Sequence, residues 1–145
     1  MNIIIRELKE SDRSTLLSMM ETFYSSEAVA TNGSAEIFNN DIDACVGDNP
    51  YLEGYIFESD GVTVGYSMLA KSFSTEYGKP CIWIEDIYLI EDFRRHGIGS
   101  MFFKFIEDKY PAHLFRLEVE AENEKAIEAY KKNGFDFMPY LEMKK

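Results

Sequence analysis

With 46% hydrophobic and 14% aromatic residues, a chain of 145 residues has enough apolar mass for one packed domain, residues 1–145, and no room for a second. Its 26 acidic against 15 basic side chains, a net charge of −11, exclude a general nucleic-acid binder, which presents a basic face. Cys45 and Cys81 make no disulfide framework and lack metal-ligand spacing, and no apolar run approaches the ~18 residues of a membrane span. A soluble, cytoplasmic protein with no metal and no membrane partner is therefore expected.

In chain order, Ile3 to Leu8 is a β-branched run that reads as a first strand. Ser11-Asp12 offers an N-cap, and Leu16, Met20 and Phe23, with Leu17 and Tyr24 beside them, make one face of a helix over about residues 12–25. Asn32-Gly33 signals a turn, after which Ser34 caps a second helix to about Val46, with Ile37, Ile42 and Val46 as its apolar positions. Tyr51 to Glu58 and Val62 to Lys71 flank Asp60-Gly61 and predict an antiparallel hairpin.

The next strand is central. Ile82 and Ile84 lie on one phase of its alternation, Ile87 and Leu89 on the other. Either both faces are buried, or an extra residue near Glu85-Asp86 makes a β-bulge; the bulge is preferred, because it re-aims one carboxylate beside the loop that follows. Beyond that loop, Ile98, Met101, Phe102, Phe105 and Ile106 recur at helical spacing until Pro111. Phe115, Leu117, Val119 and Ala121 alternate with Arg116, Glu118, Glu120 and Glu122 as a half-buried strand. Asn123 opens a helix carrying Ala126, Ile127, Ala129 and Tyr130, with Asn133-Gly134 as its C-cap. Phe135 to Met138 and Tyr140 to Met143, around Pro139, read as two short closing strands. A strand, helix, strand passage implies a right-handed crossover and at least one parallel pair, with a ligand at the carboxyl end of the central strand.

That end carries Arg94-Arg95-His96-Gly97-Ile98-Gly99-Ser100, a basic loop running into a helix start. The first N–H groups of a helix have no partner inside it and carry the positive end of the macrodipole, so they bind anions. Gly97 and Gly99 keep side chains out of the way, while Arg94, Arg95 and His96 add cationic character. A phosphate-bearing ligand is expected here. Phe102 stands where a dinucleotide fingerprint needs its third glycine, and no Gly-Lys-Ser/Thr occurs, so neither a G-x-G-x-x-G site nor a P-loop fits.

The run Tyr88 to Gly99, with Arg94-x-x-Gly97-x-Gly99 at its end, resembles the acyl-CoA pyrophosphate motif of the GNAT superfamily of N-acetyltransferases. Asn123-x-x-Ala126-x-x-x-Tyr130-x-x-x-Gly134-Phe135 resembles that family's downstream helix and Gly-Phe ending. The element order agrees across nearly the whole chain. The resemblance implies an α/β (α+β) GNAT fold: a mixed central sheet of six to seven strands, about four helices, and central strands splayed into an acyl-CoA cleft.

It further implies acetyl-CoA as cosubstrate, held by Tyr88, Leu89, Arg94, Arg95, His96, Gly97, Ile98, Gly99, Ser100, Asn123, Ala126 and Tyr130. An alkylammonium must lose a proton before it attacks, and Glu85 at the suspected bulge is the expected general base, with Asp86 pointing the opposite way. Leu89 N–H is the expected oxyanion donor, and Tyr130 the expected acid for the departing thiolate. Phe23, Tyr24, Glu27, Glu85 and Asp86 are the expected acceptor contacts. The first 80 residues carry half of the acids but a third of the bases, which suits a small cationic amine such as a polyamine or an aminoglycoside. Two other readings remain at this stage: a protein lysine or N-terminal acetyltransferase, and a noncatalytic acetyl-CoA-binding module. The closing strands also offer a route to a homodimer.

Overall fold

The computed structural model describes residues 1–26, 28–29 and 33–145. Five strands, β1 (Ile3–Glu7), β2 (Leu52–Ser59), β3 (Val62–Ser74), β4 (Lys79–Leu89) and β5 (Leu114–Leu117), form one sheet in the order β1-β2-β3-β4-β5. The first three pairings are antiparallel, and β4 pairs with β5 in parallel. Among the described residues four α-helices, α1 (Arg13–Tyr24), α2 (Ala35–Val46), α3 (Ile98–Lys109) and α4 (Glu124–Lys132), complete the fold.

Local chemistry explains these elements. Asp60 and Gly61 both adopt positive φ, 50° and 83°, which gives the turn the twist that two right-twisted strands need. Ser34 caps α2, its hydroxyl accepting from Ile37 N. Asp12 does not cap α1 as expected: its carboxylate accepts from Lys9 N and the Arg6 guanidinium, tying β1 to the helix start. At the end of α4, Gly134 N donates to Lys131 O and Phe135 N to Tyr130 O, a Schellman ending whose apolar contact is the Tyr130–Phe135 ring pair.

The sheet has a core on each face. On one, Leu16 and Met20 of α1 and Phe38 and Ile42 of α2 pack on Ile56, Tyr66, Met68 and Tyr88. On the other, Ile98, Phe102, Phe103 and Ile106 of α3 pack on Tyr55, Phe57, Val64, Leu69, Ile82 and Ile84, with Tyr130 and Phe135 at the rim. Each such side chain contributes roughly 1.5–3 kcal/mol when removed from water.

The bulge is where the phase change put it. Ile84 pairs with Leu69 and Asp86 with Met68, which leaves Glu85 as the extra residue. Ile87 and Leu89 thereby stay on the α3 face with Ile82 and Ile84, while Asp86 and Tyr88 go to the α1 face. The last β4–β5 pair is Ile84 with Leu117, immediately before the bulge. The two strands separate from that point, forming the cleft.

Two further expectations, both about strands, are corrected. Among the described residues the sheet has five strands rather than six or seven, because Phe135 to Met138 and Tyr140 to Met143 form no ladder; Leu141 and Met143 are 96% and 97% exposed. The strand expected to reach Ala121 stops at Leu117, because the bulge turns β4 away and removes its hydrogen-bonding partner.

Candidate acyl-transfer site

The separation of β4 from β5 leaves one row of main-chain groups unused. Ile90 N donates to Val64 O at 2.9 Å, so by the antiparallel alternation the pair Gly65–Leu89 is not hydrogen-bonded. The N–H and C=O of Leu89 therefore turn toward the gap. The Leu89 carbonyl accepts from Arg94 Nε at 2.8 Å, and its N–H remains open to the cleft.

The loop then rises through a 3-10 turn at Glu91–Phe93 to the start of α3. Arg95 has a φ of +63°, unusual for a residue with a side chain, and Gly97 a φ of +80°. Gly97 adopts that conformation freely, whereas Arg95 is held against its preference, as residues at ligand clamps often are. Gly97 is the N-cap and brings no capping side chain, so the N–H groups of Ile98, Gly99 and Ser100 keep the free valence of a helix start. A Cβ at Gly97 or Gly99 would meet nothing within 4 Å. The glycines are thus not required by protein packing on this side, and the space in front of the helix start is open. Arg95 and His96 are exposed beside it, and Arg94 lies 5.7 Å from the centre of the Tyr88 ring.

On the other side of the gap, Asn123 caps α4 by accepting from Ala126 N at 3.3 Å, so its side chain already has a structural use. Tyr130 packs edge-on against Phe103 and Phe135 at 6.1 and 6.0 Å. Burial holds its phenol above the ordinary tyrosine range.

The acceptor side is acidic. Glu85 is exposed, while its protein surroundings and then the charges of Asp86 and Glu142 raise its proton affinity above that of an ordinary glutamate. Asp86 is 5% exposed and accepts from Tyr24 Oη and Tyr66 Oη, each at 2.8 Å. Burial raises its proton affinity, and the two hydroxyls oppose that rise. Asp41 of α2 is pushed up to about 6, by burial first and then by Asp86 and Glu85. Glu118 is pushed up to about 7, first by the neighbouring Glu142 carboxyl and then by burial.

Glu85 and Asp86 were expected to point opposite ways, with Phe23 and Tyr24 beside them; Glu85 is exposed, while Asp86 is buried against the end of α1. Phe23 packs at 5.6 Å from Tyr88 and 6.4 Å from Tyr66, while the Tyr24 hydroxyl is turned inward to Asp86. Glu27 lies outside the described residues. Tyr66, Glu118 and Glu142 were missed: they come from three separate stretches, and only the folded sheet brings them near Glu85.

Comparison with known proteins agrees with this geometry. The profile of the Acetyltransferase (GNAT) family matches residues 16–135. A thialysine N-epsilon-acetyltransferase of Sus scrofa is 30% identical over 92% of this chain and 84% of its own length. Among solved structures, a possible acetyltransferase from Clostridium difficile 630 superposes with a TM-score of 0.80 at 20% identity, covering 99% of this chain and 96% of that one. The acetyltransferase AAC(6')-Iy, bound to a bisubstrate analogue of CoA and acetylneamine, superposes with a TM-score of 0.82 at 12% identity over 100% and 98% of the two chains. At those identities the structures speak for the fold, whereas the profile covers most of the chain. By its sequence, this chain belongs to the acetyltransferase (GNAT) family.

Proposed function

We propose that the enzyme transfers the acetyl group of acetyl-CoA directly to the primary amine of a small cationic acceptor. The observation that carries this reading is the bulge: it sets Glu85, an exposed carboxylate of raised proton affinity, among Asp41, Asp86, Glu118 and Glu142. Such a field attracts an ammonium ion, and its central carboxylate can take that ion's proton.

Bound acetyl-CoA supplies an acyl thioester. The N–H groups from Arg95 to Ser100 hold its diphosphate, and the Tyr88–Leu89 main chain orients the pantetheine arm beside Asn123 and Ala126. Glu85 removes a proton from the acceptor ammonium, directly or through water. Leu89 N–H donates to the carbonyl oxygen as negative charge develops there. The neutral amine would attack the thioester carbon, and as the C–S bond breaks the Tyr130 hydroxyl would give its proton to the departing sulfur and take one back from the acylated nitrogen, which thereby loses its second proton and becomes the amide.

The relatives named above are called a thialysine acetyltransferase and an aminoglycoside-type bisubstrate complex, so thialysine, lysine, polyamines and aminoglycosides form the panel of first choice. Thiol release from acetyl-CoA against that panel tests the proposal. At least one amine should accelerate release, and Glu85→Gln should lower kcat/KM by about 10²–10⁴. Acetylation of lysate proteins with no turnover of any small amine would replace this reading with a protein-modifying one. The exposed apolar side chains of Phe137, Tyr140, Leu141 and Met143 favour a homodimer, which light scattering on the eluted protein measures.

A further inference from the structure

Asp86 sits immediately after the extra residue of the bulge and is held at both its side chain and its backbone. Its carboxylate accepts from Tyr24 Oη at the end of α1 and from Tyr66 Oη on β3, each at 2.8 Å. Its main-chain oxygen accepts from Ser67 Oγ at 2.7 Å. Three hydroxyls from two elements converge on one buried residue. The apolar pattern does not require this. Were the extra residue Asp86 in place of Glu85, Ile87 and Leu89 would keep their place on the α3 face, and only the two carboxylates would exchange. The core is therefore blind to which acid is buried, and the tyrosine clamp is what distinguishes them. Aspartate reaches both hydroxyls from its short side chain.

We propose that Asp86, clamped by Tyr24 and Tyr66, is a positioning residue that fixes the bulge on Glu85 and so aims Glu85 into the acceptor side of the cleft. This rests on Glu85 being the base. Because Tyr24 ends α1, the same clamp ties the connection between α1 and α2 to the catalytic strand. Asp86 also acts through its charge. Glu85 feels Asp86 on β4 and Glu142 near the C-terminus; nearby stand Asp41 on α2, Tyr24 on α1, Tyr66 on β3 and Glu118 beyond β5. Removing the Asp86 charge lowers the proton affinity of Glu85.

The test measures kcat, KM and the pH profile of kcat/KM for Tyr24→Phe, Tyr66→Phe, Asp86→Asn and Glu85→Gln, with acetyl-CoA affinity by calorimetry. Both phenylalanine variants keep their rings, and each should lower kcat by about tenfold while acetyl-CoA binds as in the wild type, as expected for a misaimed group. Asp86→Asn should move the acid limb of the profile to lower pH. A purely structural clamp would lower Tm and leave the limb and the kcat of the folded enzyme unchanged, which overturns the proposal. Should Asp86→Asn fail to fold, the two phenylalanine variants decide alone. Wild-type activity in Glu85→Gln sinks the base assignment and this proposal together. Loss in Glu85→Gln with unchanged Tyr24→Phe and Tyr66→Phe sinks this proposal only.

Discussion

Arg94 donates from Nε to the carbonyl of Leu89 at 2.8 Å. The first arginine of the glycine-bearing motif, though exposed, is thus turned back onto the strand end, with its guanidinium 5.7 Å from the centre of the Tyr88 ring. The contact spans the loop between strand and helix, so it sets how far the open Leu89 N–H stands from the free N–H groups of α3. One rigid ligand has to meet both. Arg94→Ala removes a charge-assisted bond and should weaken acetyl-CoA binding by about tenfold, the equivalent of ~1.4 kcal/mol. Arg94→Gln keeps a donor and should recover part of that loss. Calorimetric titration with acetyl-CoA checks both, and equal affinity in all three proteins would show the contact to be idle.

Gly99 separates a packing role from a binding role. It lies inside the first turn of α3 without a positive φ, and a Cβ there would meet no atom within 4 Å beyond its own turn of helix. Gly99→Val should therefore leave the melting temperature within a few degrees, since a mid-helix glycine is itself unfavourable by roughly 0.5–1 kcal/mol. Its branched side chain fills the space in front of the free N–H groups, and acetyl-CoA affinity should fall by at least about a hundredfold. A variant that melts normally and binds normally would remove the diphosphate from this turn.

Much of the site was legible because local rules write it into short stretches. The switch from Ile82 and Ile84 to Ile87 and Leu89 is a period-2 pattern with one residue too many, and the bulge is its direct physical result. Gly97 before a helical apolar pattern announces a free helix start in the same way. The clamp on Asp86 was illegible for the opposite reason: Tyr24 and Asp86 are 62 positions apart, and nothing in the spacing of either tells that their oxygens meet. The tail misled the reading. Phe135 to Met143 has the composition of strands, but a strand exists only where a neighbour supplies its hydrogen bonds, and β5 offers only four residues.

Tyr130 has two claims on it, packing and proton donation, and removing only the hydroxyl distinguishes them. Its ring sits between Phe103 and Phe135, and the Schellman ending fixes its backbone. Tyr130→Phe preserves all of that, so stability should change by less than about 1 kcal/mol, whereas kcat should fall by about 10- to 100-fold. Burial keeps the phenol protonated above the usual tyrosine range, so the wild-type rate should show no alkaline limb from this group below about pH 10. Loss of stability in step with loss of rate would assign Tyr130 to packing alone.

Asp41 makes the acceptor face responsive to pH. Burial first, and then Asp86 and Glu85, lift its carboxyl from an ordinary 3.8 to about 6. Between those values the folded protein still holds a proton that the unfolded chain has released, so the folded state is favoured at the acid end and loses that advantage as pH rises through the window. Above about pH 6 the fold carries a charged, half-buried carboxylate beside like charges. Asp41→Asn removes this penalty and should stabilise the protein at pH 7.5 by on the order of 1–3 kcal/mol, with little effect near pH 4. Thermal melts at the two pH values measure the difference, and an equal shift at both would show that charge is not the cause. A cationic acceptor relieves the same repulsion by binding, so the stabilised variant should also show a higher KM for the amine, a gain in stability tied to a loss in function.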